Sequence, residues 1–498
     1  MIVPRPTRLR RRAGQFVFGP TTALRATQGA EPAARLLRRH LRPATGLPLP
    51  PSATGTVLLT LDEQLVGLGD EGYALTVSEL AVVLRARRLA GLLHGVQTIR
   101  QLLPVEALGE VPAPGVVWAL PCVDVEDSPR LPWRGAMLDV ARHFQPVRFL
   151  RRFVDLLALH KLTVLHLHLT DDQGWRMPVA AYPALTEVGG TRARTQLGPA
   201  GSDRFDGVPH GGAYTTAELR ALVAYAAERG VRIVPEIDLP GHARAALAAY
   251  PWLGNHPQRR LPMWTEWGIS EAVFGVHERV FDFLRTVFGE VMDVFPGEHV
   301  HIGGDEVPVT EWAASPVALD RVAREGLTGP EALRGWFLNR VGGLLLDQGR
   351  VPVCWADAGD GTRLDPRTVV MPWQDSTPLV DGHPVVLTPY RSTYLDYPQS
   401  TDDDERPGQP GAVVTTYDVY HQPIPDDPAV LGSQCQLWTE QVPRPEDVEY
   451  LAFPRLCALA DALWSAKPDW AAFGAAMAVH ERRLAALSVA YRALTATS

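Results

Sequence analysis

Glu298-His299-Val300-His301-Ile302-Gly303-Gly304-Asp305-Glu306 reads as a short strand that runs into two glycines and then presents two adjacent carboxylates. Glycines suit a point where the backbone must pass close to a ligand. Two acids on a tight backbone suit proton chemistry. The pair falls at the C-terminal end of its strand, where barrels of alternating strands and helices carry their catalytic groups.

Outward from this stretch, eight segments have strand character: 133–140, 163–169, 231–237, 299–303, 351–355, 369–373, 384–389 and 434–438. Helical periodicity falls between most of them, over Phe149–His160, Ala217–Arg229, Val276–Phe295 and Leu333–Gln348, and a last amphipathic helix is expected over Trp470–Leu494. The alternation predicts an α/β chain with a (β/α)8 TIM barrel, with a doubly wound open sheet as the competing arrangement. The barrel is favoured because polar and aromatic residues recur where each strand should end. These are Asp139 and Arg142; Asp171 and Asp172; Glu236, Asp238 and His242; Asp305 and Glu306; Trp355 and Asp357; Trp373; Tyr394 and Asp396; Trp438 and Glu440. One acid after a strand is ordinarily an N-cap for the next helix. Recurrence at all eight ends points instead to one shared pocket.

Residues 1–128 lack this rhythm. They contain three segments read as antiparallel strands, Thr56–Leu61, Tyr73–Val77 and Ala81–Leu84, followed by a helix near Leu89–Leu103, which predicts a small α+β domain. The turn-forming Glu126-Asp127-Ser128-Pro129 marks the boundary, with the catalytic barrel over 129–498. A chain of 498 residues with 46% hydrophobic content accommodates both units.

The net charge of −8 gives no nucleic-acid footprint, and the run Arg8, Arg10, Arg11, Arg12 reads as a solvated surface cluster. No apolar run approaches membrane-spanning length, so no membrane partner is expected. Without an apolar leader after those arginines, the expected location is cytoplasmic. Cys122, Cys354, Cys435 and Cys457 have no metal-ligand spacing and read as buried thiols. Nothing in the sequence bears on oligomeric state.

The pocket residues comprise carboxylates, one arginine, one tyrosine and three tryptophans, with no nucleophilic serine or cysteine set and no phosphate loop. Tryptophan faces pack on pyranose rings, while arginine and carboxylates hydrogen-bond hydroxyls. The set therefore suits a sugar, and acetal cleavage requires a proton donor and a means to stabilise the oxocarbenium-like centre.

Six ordered motifs resemble family 20 of the glycoside hydrolases, the β-N-acetylhexosaminidases: 138–144 (LDVARHF), 166–175 (HLHLTDDQGW), 235–242 (PEIDLPGH), 301–306 (HIGGDE), 394–396 (YLD) and 437–440 (LWTE). The opening Ile2-Val3-Pro4-Arg5-Pro6 is also family-like. The resemblance implies a retaining exo-enzyme that removes terminal β-linked GlcNAc or GalNAc without a cofactor or metal. Glu306 would be the general acid, and the substrate's own acetamido oxygen the nucleophile, forming an oxazolinium. Asp305 would accept the acetamido N–H and Tyr394 would donate to its oxygen, so both ends of the nucleophile are clamped. Trp355, Trp373 and Trp438 would enclose the acetamido methyl. Arg142, Asp396 and Glu440 would hold distal hydroxyls, and Asp171 and His242 would back the acid. For Asp171 and His242 the plainer alternative is mutual satisfaction inside the barrel.

Two other readings compete. His166-Leu167-His168 imitates the HxH of metal-dependent amidohydrolases, and with it deacetylation of an amino sugar. It lies on the second strand and no later ligand set completes a metal centre, so inward-facing barrel filler is the better reading. A sugar-binding module without turnover is the second, opposed by the intact Asp305–Glu306 pair. Segments 252–275 and 397–432 agree least with the family and are expected to shape the entrance and the leaving-group side.

Overall fold

The computed structural model describes residues 1–357, 363–374 and 382–494. Eight strands, Trp133–Asp139, Val164–His168, Arg232–Glu236, His299–His301, Val351–Ala356, Val369–Pro372, Val385–Leu387 and Val430–Leu437, close into a barrel in sequence order, and every neighbouring pair is parallel. The barrel expectation holds, and each strand lies within or overlaps its predicted segment.

Side chains alternate across the strands as a period of two requires. Leu165 and Leu167 face the outer helical layer, where Leu150, Phe153 and Leu157 of helix Val147–Leu159 join the same core. Val164, Val234, Val353, Trp355, Val369 and Met371 fill the interior. The polar His166, His168, Glu236 and His301 are also fully buried there.

The last helix ends at Ala486, short of the predicted Leu494. The reason is non-local: Ser488 turns the chain with a φ of 52°, and Arg152 donates to the carbonyls of Leu487 and Ser488, replacing helical partners.

The small domain is a six-stranded sheet covered on one face by helices Glu31–Thr45 and Leu89–Leu102. Tyr73–Val77 and Val82–Ala86 are antiparallel as expected. Val57–Leu61 corrects the reading: it runs parallel to Val82–Ala86. Strands Arg8–Val17 and Ala119–Asp127 and helix Glu31–Thr45 had not been anticipated. The basic run is exposed on the first of these strands, and Arg8, Arg10 and Arg12 meet Glu126 or Asp124 on the strand beside it. Asp127 secures the seam between the two units by accepting from Tyr73 Oη, Lys161 Nζ and Trp464 Nε1, each at 2.7 Å.

All four cysteines are buried, and none forms a disulfide. No helix among the described residues is long and apolar enough to cross a membrane.

Candidate active site

The C-terminal ends of the strands surround a cleft of about 310 Å³ lined by Arg142, Asp171, His242, Asp305, Glu306, Trp373, Tyr394, Asp396, Trp438 and Glu440. A larger groove of about 940 Å³ lies on the small domain, walled by helix Glu31–Thr45 and strand Leu24–Ala26. It assembles no acid–base set, so the smaller cleft is the candidate site.

Of the residues given a catalytic or sugar-binding role, Trp355 alone does not line the cleft, and of the other strand-end residues Asp139, Asp172, Glu236 and Asp357 also lie outside its lining. Trp355 is 1% exposed, donates its indole N–H to Glu236 at 2.8 Å and packs 6.0 Å from Trp438. The aromatic wall is continuous: Trp373 stacks on Tyr394 at 6.5 Å and 27°, and Tyr394 meets Trp438 at 6.1 Å.

Glu306 leads into a relay. His242 Nε2 stands 3.6 Å from Glu306 Oε2, and His242 Nδ1 stands 3.3 Å from both Asp171 Oδ1 and Asp172 Oδ2, in hydrogen-bond geometry with neither. Burial works against charge on His242, but the Asp171 carboxylate outweighs it and holds its pKa well above the usual value. Burial likewise works against charge on Asp171, yet Arg142 and His242 keep its carboxyl below the ordinary range. Arg142 Nη2 meets Asp171 at 2.7 Å, and its guanidinium lies 4.9 Å over Trp438. His242 and Glu306 both carry positive φ, 47° and 48°, so strained backbone aims two members of the relay.

Asp305 is 9% exposed, and its Oδ1 is buried without a hydrogen-bond partner among the described residues. Burial pushes it up to about 7, with His242 opposing and Glu306 and Asp357 adding to the rise. Burial first and Asp305 second hold Tyr394 well above the usual phenol range, so its hydroxyl remains a donor. Asp396 Oδ1 and Arg142 Nη1 are further buried polar atoms without a hydrogen-bond partner. Polar atoms held out of water in this way are suited to a polyhydroxylated ligand.

Gly303 and Gly304 serve a different purpose from the one expected. A Cβ on Gly303, whose φ is 64°, would lie 1.7 Å from Asp238 Oδ1, and one on Gly304 would lie 3.0 Å from Leu338 Cδ1. The close approach is therefore to the protein itself, and the Gly304 amide donates to Asp238 at 3.2 Å. Gly303→Ala is expected to cost about 3 kcal/mol or more through strain and overlap. Gly343→Ala, in helix Leu333–Leu346 with nothing within 4 Å of the added carbon, should be neutral or stabilising. Thermal unfolding of the two variants checks the contrast.

Several cleft residues went unassigned in the sequence. Asp238 lines the cleft and had no role, and Asp357, also at a strand end, lies outside the lining but accepts from two lining residues, the Glu306 amide at 3.3 Å and Trp373 Nε1 at 2.7 Å, and pairs with Arg334 at 3.1 Å. Trp267, Gly268, Ile269, Tyr397 and Gln409 come from the two segments expected to shape the entrance. Only that departure from the family pattern marked them.

Comparison with known proteins follows the same division of the chain. The profile of Glycosyl hydrolase family 20, catalytic domain, matches residues 131–467, and that of Glycosyl hydrolase family 20, domain 2, matches residues 1–128. A beta-N-acetylhexosaminidase of Cellulomonas fimi is 36% identical over 96% of this chain and 93% of its own length. A beta-hexosaminidase of Porphyromonas gingivalis is 35% identical over 95% of this chain, which spans 62% of that protein's length. The crystal structure of the GH20 exo beta-N-acetylglucosaminidase of Vibrio harveyi in complex with N-acetylglucosamine superposes with a TM-score of 0.85 at 30% identity, covering 99% of this chain and 78% of that one. With a family 20 catalytic profile over most of its length and the family's second domain before it, the chain belongs to glycosyl hydrolase family 20 and is a glycoside hydrolase.

Proposed function

We propose that the protein is a retaining exo-β-N-acetylhexosaminidase that removes terminal β-linked GlcNAc or GalNAc by substrate-assisted catalysis. The observation that carries this reading is the meeting of the Asp305–Glu306 pair with the His242–Asp171 relay on one side and a continuous aromatic wall on the other. The cleft volume, about 310 Å³, is at the low end for small-molecule pockets and favours capture of a single terminal ring. The sugar bound by the Vibrio harveyi relative is consistent with this.

In the first step Glu306 gives its proton to the glycosidic oxygen as the acetamido oxygen attacks the anomeric carbon. The glycosidic bond breaks and a cyclic oxazolinium forms. Asp305 accepts the acetamido N–H, and its carboxylate offsets the developing positive charge. Tyr394 donates to the acetamido oxygen, and Trp373 and Trp438 confine the methyl group, with Trp355 packed against Trp438 from outside the cleft. In the second step Glu306, now a carboxylate, takes a proton from water as that water opens the ring. Two displacements at one carbon return the original configuration. Arg142, Asp396 and Glu440 hold the distal hydroxyls, with Arg142 Nη1 and Asp396 Oδ1, which have no hydrogen-bond partner among the described residues, supplying a donor and an acceptor.

We place the domain division at Ser128–Pro129, between the last strand of the small sheet and the first of the barrel. We keep the cytoplasm as the proposed location, which four cysteines outside any disulfide allow.

Turnover of an aryl β-N-acetylglucosaminide tests the reading against a sugar-binding module, for which no phenol would be released. Activity is expected to survive exhaustive chelation. Its loss, with recovery on adding zinc or manganese and release of acetate, would return the metal-dependent deacetylase reading.

A further inference from the structure

His166 and His168 take no part in the steps above, yet both are fully buried inside the barrel and both face Glu236. Glu236 is the hub. Its Oε1 accepts from Trp355 Nε1 at 2.8 Å and stands 2.9 Å from His301 Nδ1. Its Oε2 accepts from His168 Nδ1 and stands 3.0 Å from His166 Nε2. The other nitrogen of His168, Nε2, lies 2.8 Å from Asp171 Oδ2, on the carboxylate that faces His242. A zinc ion would hold such ligand atoms roughly 3.3 Å apart with tetrahedral bonds of about 2.0 Å. His166 Nε2 and His301 Nδ1 stand closer to Glu236 than that, at 3.0 and 2.9 Å, and His301 Nδ1 already accepts from the Gly303 amide at 3.0 Å.

We propose that Glu236 and His168 are positioning residues that join the acid relay to the tryptophan box, Glu236 holding Trp355 directly and Asp171 through His168. A ring set between two carboxylates must donate from both nitrogens, so His168 is an imidazolium whose charge offsets both acids. Burial opposes that charge, and Glu236 and Asp171 overcome it. Removing the charge of Glu236 would leave the imidazolium facing a single carboxylate. Loss of its proton would then turn one nitrogen into an acceptor beside an acceptor. Asp171 would lose a donor, His242 its orienting partner, and Glu306 the backing for proton transfer.

The inference rests on the hexosaminidase reading, and the test separates the two. Two β-N-acetylglucosaminides that differ only in leaving group, phenol and dinitrophenol, are compared for the parent and for Glu236→Gln. The amide can still accept from Trp355 but carries no charge. For the phenyl substrate kcat is expected to fall about 10- to 100-fold, and for the dinitrophenyl substrate by less than about threefold, because a good leaving group needs little protonation. Equal losses on both substrates, or parent-like rates on both, would overturn the inference. Should Glu236→Gln fail to fold, His168→Gln carries the same contrast. Trp355→Phe keeps a ring but loses the N–H held by Glu236, and its losses should be equal for both leaving groups; a leaving-group-dependent loss there would also count against the assignment. A parent that hydrolyses neither substrate overturns the hexosaminidase reading itself, a failure distinct from an equal-loss result.

Discussion

Glu306→Gln is expected to lower hydrolysis of substrates with poor leaving groups by about 10²- to 10⁴-fold, the usual contribution of a general acid, while folding and ligand binding persist. The side chain is 36% exposed and, among the described residues, its one ion-pair contact is to His242 at 3.6 Å, so an isosteric amide removes little packing. Substrates that leave as very acidic phenols need no proton and should lose far less. Rates for a graded series of aryl glycosides check this through their slope against leaving-group acidity. Equal losses across the series would remove Glu306 from the role.

The second large effect belongs to the substrate's 2-acetamido group. If it is the nucleophile, replacing it by hydroxyl should abolish turnover far beyond the factor expected for one lost hydrogen bond, about 1 kcal/mol or roughly fivefold. A thiazoline analogue of the cyclic intermediate should bind well, and Asp305→Asn should weaken it because the charge complement is lost. Efficient cleavage of simple β-glucosides, or a sugar ester trapped on Asp305 or Glu306, would instead make an enzyme carboxylate the nucleophile.

Asp305 also links catalysis to stability. A carboxyl whose folded pKa lies above its unfolded value of about 3.9 costs stability increasingly as pH rises between the two, and the full cost stands above the folded value. For Asp305 that window runs from about 4 to about 7. Asp305→Asn is therefore expected to stabilise the free enzyme above pH 7 by an amount on the order of a few kcal/mol, seen as a higher melting temperature, and to bring no gain near pH 4. The parent's kcat/KM should fall as pH drops through about 7, because the protonated acid cannot offset the oxazolinium charge. Melting curves and rates measured over the same pH range check both signs.

Much of the barrel and the cleft could be read locally. Each strand is short and buried, each ends in polar or aromatic residues, and the helices between carry their own period, so the eight ends could be placed in order. Asp305, Glu306, Tyr394 and Trp438 were visible because strand ends in a closed parallel barrel all open on one face. Motif order added the roles, through the family.

What periodicity cannot encode is which distant side chain a residue will meet. Gly303 is glycine because Asp238, on the preceding strand's loop, occupies the space of a side chain. His166 and His168 looked like filler because Glu236 and His301, on the next two strands, share their inward face only once the barrel closes. The last helix stops where Arg152 reaches its carbonyls across the fold. Val57–Leu61 shows strand propensity whichever way it pairs, and its direction is set by its place in the sheet between Leu24–Ala26 and Val82–Ala86. Sequence by itself determined the elements, their order and the chemistry gathered at their ends, because those depend on local pattern. Tertiary structure alone decided the partners, because a buried polar group is satisfied by whatever closure brings within about 3 Å.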